Sequence, residues 1–98
     1  MVEEMLKLRK LLTEQGIDWH DASTPPDYPL IKIDRTHFEY RGYNWSVING
    51  FGSLGGYDLI RKKNTGLLEV MSAAVNDGEP IGYLKAKDVM RFILEGEK

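Results

Sequence analysis

Between Gly50 and Gly56 the chain reads Gly-Phe-Gly-Ser-Leu-Gly-Gly, and here residue types and spacing come nearest to a known chemistry. Gly50, Gly52 and Gly55 reproduce the Gly-x-Gly-x-x-Gly pattern of dinucleotide folds. There the glycines let backbone approach a pyrophosphate that rests on the N-terminus of a following helix. That context is missing, because Asp58 to Lys63 is too short for the helix and no parallel βαβ unit surrounds it. The loop retains a second use. Its exposed N–H groups, flanked by the rings of Phe51 and Tyr57, could hold a small anionic or planar ligand. Alternatively, it is a connection whose glycines simply permit positive φ.

The two histidines give no metal or acid–base constellation. His20 and Asp21 are adjacent, and in extended chain they point to opposite faces. His37 and Glu39 share a strand face but are too few to hold a metal. Asp18, Asp21 and Asp27 have no spacing that pairs them for proton transfer. The nucleophile elbow, the phosphate-binding Gly-Lys-Ser and the zinc-protease His-Glu-x-x-His are all missing. We expect neither catalysis nor a metal or cofactor.

Aromatic residues are the other conspicuous group. Trp19, Phe38, Tyr40, Tyr43 and Trp45 fit a core beneath packed helices. The sharper alternative has Tyr43 and Trp45 stacking a base or sugar, with Arg41 or Arg35 taking an anionic group. The candidate ligand-binding set is therefore Arg41, Tyr43, Trp45, Phe51, Gly52, Ser53, Gly55, Gly56 and Tyr57.

Elements able to position these residues can be read from periodicity. Met5, Leu8 and Leu12, widened by Leu11, predict an amphipathic helix over Val2–Gln15 that stops at Gly16. Asp18 to Pro29 is expected as loop, because Pro25, Pro26 and Pro29 forbid a helix there. Leu30–Ile33 is a short strand candidate at a sheet edge. Thr36–Tyr40 and Tyr43–Val47 alternate as strands, joined into a hairpin by Arg41-Gly42. Leu67–Met71 and Ile81–Leu84 supply further strands, with a turn through Asn76-Asp77-Gly78 between them. Lys85–Glu95 reads as a closing helix with Val89, Phe92 and Ile93 inward. The expectation is one α+β domain over 1–98: a small antiparallel sheet with N- and C-terminal helices packed on it.

Composition agrees with a folded domain. Of 98 residues 42% are apolar and 29% charged, which is ordinary globular usage. A net charge of −2, with Arg61-Lys62-Lys63 the one basic cluster, argues against nucleic-acid binding. Without cysteine there is no disulfide frame or thiolate chemistry, and no apolar run has the length of a membrane span. A cytoplasmic protein, in the cytoplasm of a host cell if the resemblance below holds, is the expectation.

Three segments, HFEYRGYNWSVINGFGSLGG (37–56), GLLEVM (66–71) and IGYLKAKDV (81–89), resemble small accessory proteins of phages and integrated mobile elements. The Leu8-Arg9 helix matches the same order, whereas Lys85 stands where a Thr or Ser cap would be expected. The resemblance implies an anti-defence role without catalysis. Its leading form is a sponge that sequesters a nucleotide-like immune signal, at a site shared between subunits if the chain is a homo-oligomer. The alternative is a module that inhibits a host defence protein by direct contact, as anti-CRISPR proteins do.

Overall fold

A computed structural model describes residues 1–25, 32–50 and 52–96. Helix α1 (Glu3–Glu14) leads to strand β1 (Trp19–Asp21), then to β2 (Ile33–Tyr40) and β3 (Tyr43–Gly50). A small hairpin of β4 (Tyr57–Asp58) and β5 (Lys63–Asn64) follows; β6 (Leu68–Ser72), β7 (Ile81–Leu84) and helix α2 (Ala86–Glu95) complete the order. Among the described residues, one antiparallel sheet has five strands in the order β1-β2-β3-β6-β7, and β4-β5 forms a separate ribbon. The α+β architecture expected from periodicity is present, with the two helices packed on each other and on the sheet.

Alternation decides which side chains meet the helices. Thr36 and Phe38 of β2, Trp45 and Val47 of β3, and Leu68 and Val70 of β6 are buried. All but the polar Thr36 join Met5, Leu8 and Leu12 of α1 and Val89, Met90 and Ile93 of α2 in one core. On the open face His20, His37, Ser46 and Met71 stand directly opposite one another across four strands. The Arg41-Gly42 turn has φ of 53° and 82°, the paired left-handed geometry that matches strand twist in a two-residue hairpin. Gly16, at φ 73°, ends α1 as expected.

Three local expectations need amendment. Trp19–Asp21, assigned to loop, pairs with Thr36–Phe38 as an edge strand. The two hairpin strands extend further than their alternating cores, to Ile33 and to Gly50. The remainder of the candidate strand Leu30–Ile33 lies largely outside the described residues. Finally, α2 is capped without a Ser or Thr: Asp88 accepts from the Lys85 N–H at 3.0 Å, and Glu4 of α1 accepts from the Ala86 N–H at 2.8 Å. A carboxylate reaching from α1 thus satisfies a donor that α2 would otherwise leave unpaired. The Ala86 N–H is also the main reason the Glu4 carboxyl is held below its ordinary range.

Arg9 joins α1 to the sheet. Its side chain is buried; Nε donates to Thr36 Oγ1 at 2.8 Å, and Nη2 donates to Asp21 Oδ1 at 3.0 Å and to the Arg35 carbonyl at 3.1 Å. The guanidinium also lies over the Trp19 ring, 4.6 Å from its centroid. Asp21 is drawn down to about 2, first by Ser23 and then by Arg9. Truncating Arg9→Ala removes these bonds and leaves Thr36 buried without its donor, so stability should fall by about 2–3 kcal/mol at neutral pH. Asp21 is half in water and supplies only a small part of that. Because its pKa is depressed from 3.8, its contribution is present above that value and lost as pH falls toward 2. Urea unfolding across that range should show the gap between wild type and Arg9→Ala narrowing on acidification.

Candidate functional site

The sequence-predicted ligand residues do not form one site. β3 runs from Tyr43 to Gly50, so Arg41 and Tyr43 stand about 23 Å from the start of the glycine loop. Tyr43 is exposed at the hairpin tip, and Arg41 lies over the Tyr40 ring, 5.1 Å from its centroid. Trp45 lies two residues further along the same strand face and is covered there. It is 4% exposed, stacked at 4° on Phe38 with centroids 6.0 Å apart, and belongs to the core. Phe51 lies outside the described residues. What the structure does bring together is Gly52, Ser53, Gly55, Gly56 and Tyr57, at the far end of β3.

That loop is folded against the protein by its own hydrogen bonds. Ser53 Oγ donates to the Gly50 carbonyl at 2.7 Å and accepts from the Gly50 N–H at 3.1 Å. The Ser53 and Gly56 N–H groups bond within the loop, and the Leu54 N–H donates to Glu69 Oε1 at 2.9 Å. Of the loop amides that were candidates for an anion, those of Ser53, Leu54 and Gly56 are engaged. The Leu54 carbonyl in turn accepts from the Tyr83 N–H at 3.3 Å, fastening the loop over β6 and β7. Gly55, at φ 83°, sits so close to that strand that a Cβ would come 2.6 Å from the Tyr83 nitrogen. A glycine at this position lets the loop backbone pack against Tyr83.

Strand β7 carries an irregularity at the same place. Leu68 pairs with Leu84 and Val70 with Ile81, so two steps along β6 span three along β7. The extra residue makes a bulge, and Tyr83 adopts φ 61°. A left-handed conformation costs a non-glycine residue roughly 1–2 kcal/mol. This one presents the Tyr83 ring to solvent, 68% exposed.

Beside it stands a feature that sequence reasoning missed. The β4-β5 ribbon projects the segment Leu59-Ile60-Arg61-Lys62 as a finger. Asp58 Oδ1 accepts from the N–H groups of Ile60 and Arg61, both at 3.0 Å, and fixes the turn. At its base Asn49 is 1% exposed and donates to the Leu67 carbonyl at 2.7 Å and to Asn64 Oδ1 at 3.0 Å. Asn64 returns a bond to Asn49 Oδ1 at 2.7 Å, and Thr65 Oγ1 donates to the Gly55 carbonyl. Leu59 and Ile60 are nevertheless left 70% and 94% exposed. The available signal was a pair of large aliphatics set between an Asp and three basic residues.

Leu54, Tyr57, Leu59, Pro80 and Tyr83 line one groove of about 470 Å³, with Glu69 at its edge. Its chemistry is apolar contact with polar margins, and no acid–base pair stands in it. On the open sheet face His20 and His37 sit opposite each other, while Asp21 turns to Arg9 on the other side. Among the described residues no group of three or more metal-ligating side chains converges, and no helix is long and apolar enough to cross a membrane.

Two glycine substitutions distinguish a docked loop from an open cradle. Gly52→Ala meets open space at φ 89° and should cost only about 1 kcal/mol of backbone strain. Gly55→Ala adds a collision with Tyr83 backbone and should cost at least about 2 kcal/mol more, measured by denaturant unfolding. Equal costs would contradict the docking.

No protein-family model, no curated protein and no solved structure matches this chain.

Proposed function

We propose that this chain is a non-enzymatic protein-interaction module whose contact surface is built by the glycine loop, the finger and the β7 bulge. The observation that carries the reading is Tyr83. A large aromatic residue is held in a left-handed conformation with its ring in solvent, next to exposed Leu54, Leu59 and Ile60. Strained backbone persists where surrounding structure enforces it, and it concentrates at functional surfaces. Apolar side chains grouped on a rigid support, with charge at the margin, are the makings of a protein contact.

Between sequestration of a small ligand and direct contact with a protein, direct contact has the better support. Sequestration of a nucleotide-like ligand would draw on Arg41, Tyr43 and Trp45 together with the glycine loop. Those residues lie at opposite ends of β3, and Trp45 is in the core.

Site-specific cross-linking tests the reading. A photoreactive residue replacing Ile60, in protein expressed in bacterial cells, should capture discrete protein partners. Adding Tyr83→Gly should abolish capture while stability stays within about 1 kcal/mol, because glycine relieves the strain and removes only the ring. Cross-linking no different from that of a residue placed at Lys10 would overturn it. A thermal shift with a nucleotide that is recovered unchanged on heating would favour sequestration instead.

A further inference from the structure

The contact face contains both halves of a complementary pair. One half is the finger, an apolar tip of Leu59 and Ile60 followed by exposed Arg61, Lys62 and Lys63. Its local charge is positive in a chain whose net charge is −2. The other half is the neighbouring groove, floored by Leu54, Pro80 and Tyr83. Glu69 lines it, and exposed Asp77 and Glu79 sit on the turn that leads into its Pro80. A knob that is apolar and basic thus lies beside a recess that is apolar and acidic.

Resting on the protein-contact reading of this face, we infer that its occupant is a second copy of the chain. In this two-fold dimer Ile60 of each protomer enters the Leu54–Pro80–Tyr83 groove of the other. Two-fold contacts require one patch to be self-complementary, and here the matching parts sit side by side on one surface. Arg61, Lys62 and Lys63 of one protomer then face Glu69, Asp77 and Glu79 of the other, which fixes orientation and disfavours slipped arrangements. The hydrogen bonds of Asp58, Asn49 and Asn64 hold the knob in shape before contact, which lowers the ordering cost of association. The bulge keeps β7 from offering a regular ladder, so pairing is directed to side chains and away from strand addition.

Sedimentation equilibrium on the full chain reads this directly. Wild type should pass from one chain to two as concentration rises, and Ile60→Glu should weaken that association by roughly thirtyfold or more. Ile60 is 94% exposed, so at dilutions where wild type is monomeric the variant should keep its melting temperature. A finger variant, Lys62→Glu with Lys63→Glu, and a rim variant, Asp77→Lys with Glu79→Lys, should each stay monomeric alone. Mixed in equal amounts they should associate, because each then meets opposite charge at both contacts. A wild-type chain that is monomeric at every concentration, a dimer indifferent to Ile60→Glu, or a mixture no tighter than its components would each overturn the proposal. If the cross-links from position 60 still capture another protein in that event, the interaction reading stands and only the identity of its partner changes.

Discussion

The buried amide of Asn49 is the constraint on which the outer half of this protein depends. At the end of β3 the chain leaves the sheet, and it does not return until β6. Asn49 closes that excursion by bonding to Leu67 at its end and exchanging hydrogen bonds with Asn64 in the finger. An amide buried this deeply is costly unless its donors and acceptor are all used. The same requirement that stabilises the fold therefore sets where the finger stands. Ser53, Glu69 and Thr65 add side-chain bonds to the backbone of the glycine loop.

Arg9 plays the corresponding part on the helix side. A domain of this size has a modest core, and hydrophobic burial alone specifies orientation weakly. The guanidinium engages Thr36, Asp21 and the Arg35 carbonyl at once, so α1 has one way to lie across β1 and β2. Glu4 then registers α2 against α1 through the Ala86 N–H. Few side chains fix the helix pair, and the sheet's far end is free to carry the loop, the finger and the bulge.

Much of the frame was legible because it follows local rules. The period of Met5, Leu8 and Leu12, the alternation of Thr36–Tyr40 and Tyr43–Val47, and the turn residues Arg41-Gly42 each determine their element with neighbours in sequence. β1 was not legible, since three residues become a strand only by pairing with β2. The role of Arg9 was hidden for a similar reason: on a helix it reads as a solvated charge, and its burial follows from distant Thr36 and Asp21. In the candidate site the glycines of the loop were identifiable, but their purpose was not. Gly55 serves close approach to Tyr83, nearly thirty residues later in the chain, and no spacing announces that contact. Trp45 was read both as core and as ligand platform; which face a strand turns inward depends on where the helices pack.

The central claim is that the loop and finger are held in place before any partner arrives, and amide hydrogen exchange on the free chain tests it most directly. The N–H groups of Leu54, Ile60, Thr65 and Tyr83 all have acceptors within this region. They should exchange far more slowly than an unstructured peptide, with Thr65 and Tyr83 approaching the rates of the β4-β5 and β6-β7 pairings they border. Exchange of all four at unstructured rates, while the five-stranded sheet stays protected, would contradict the account.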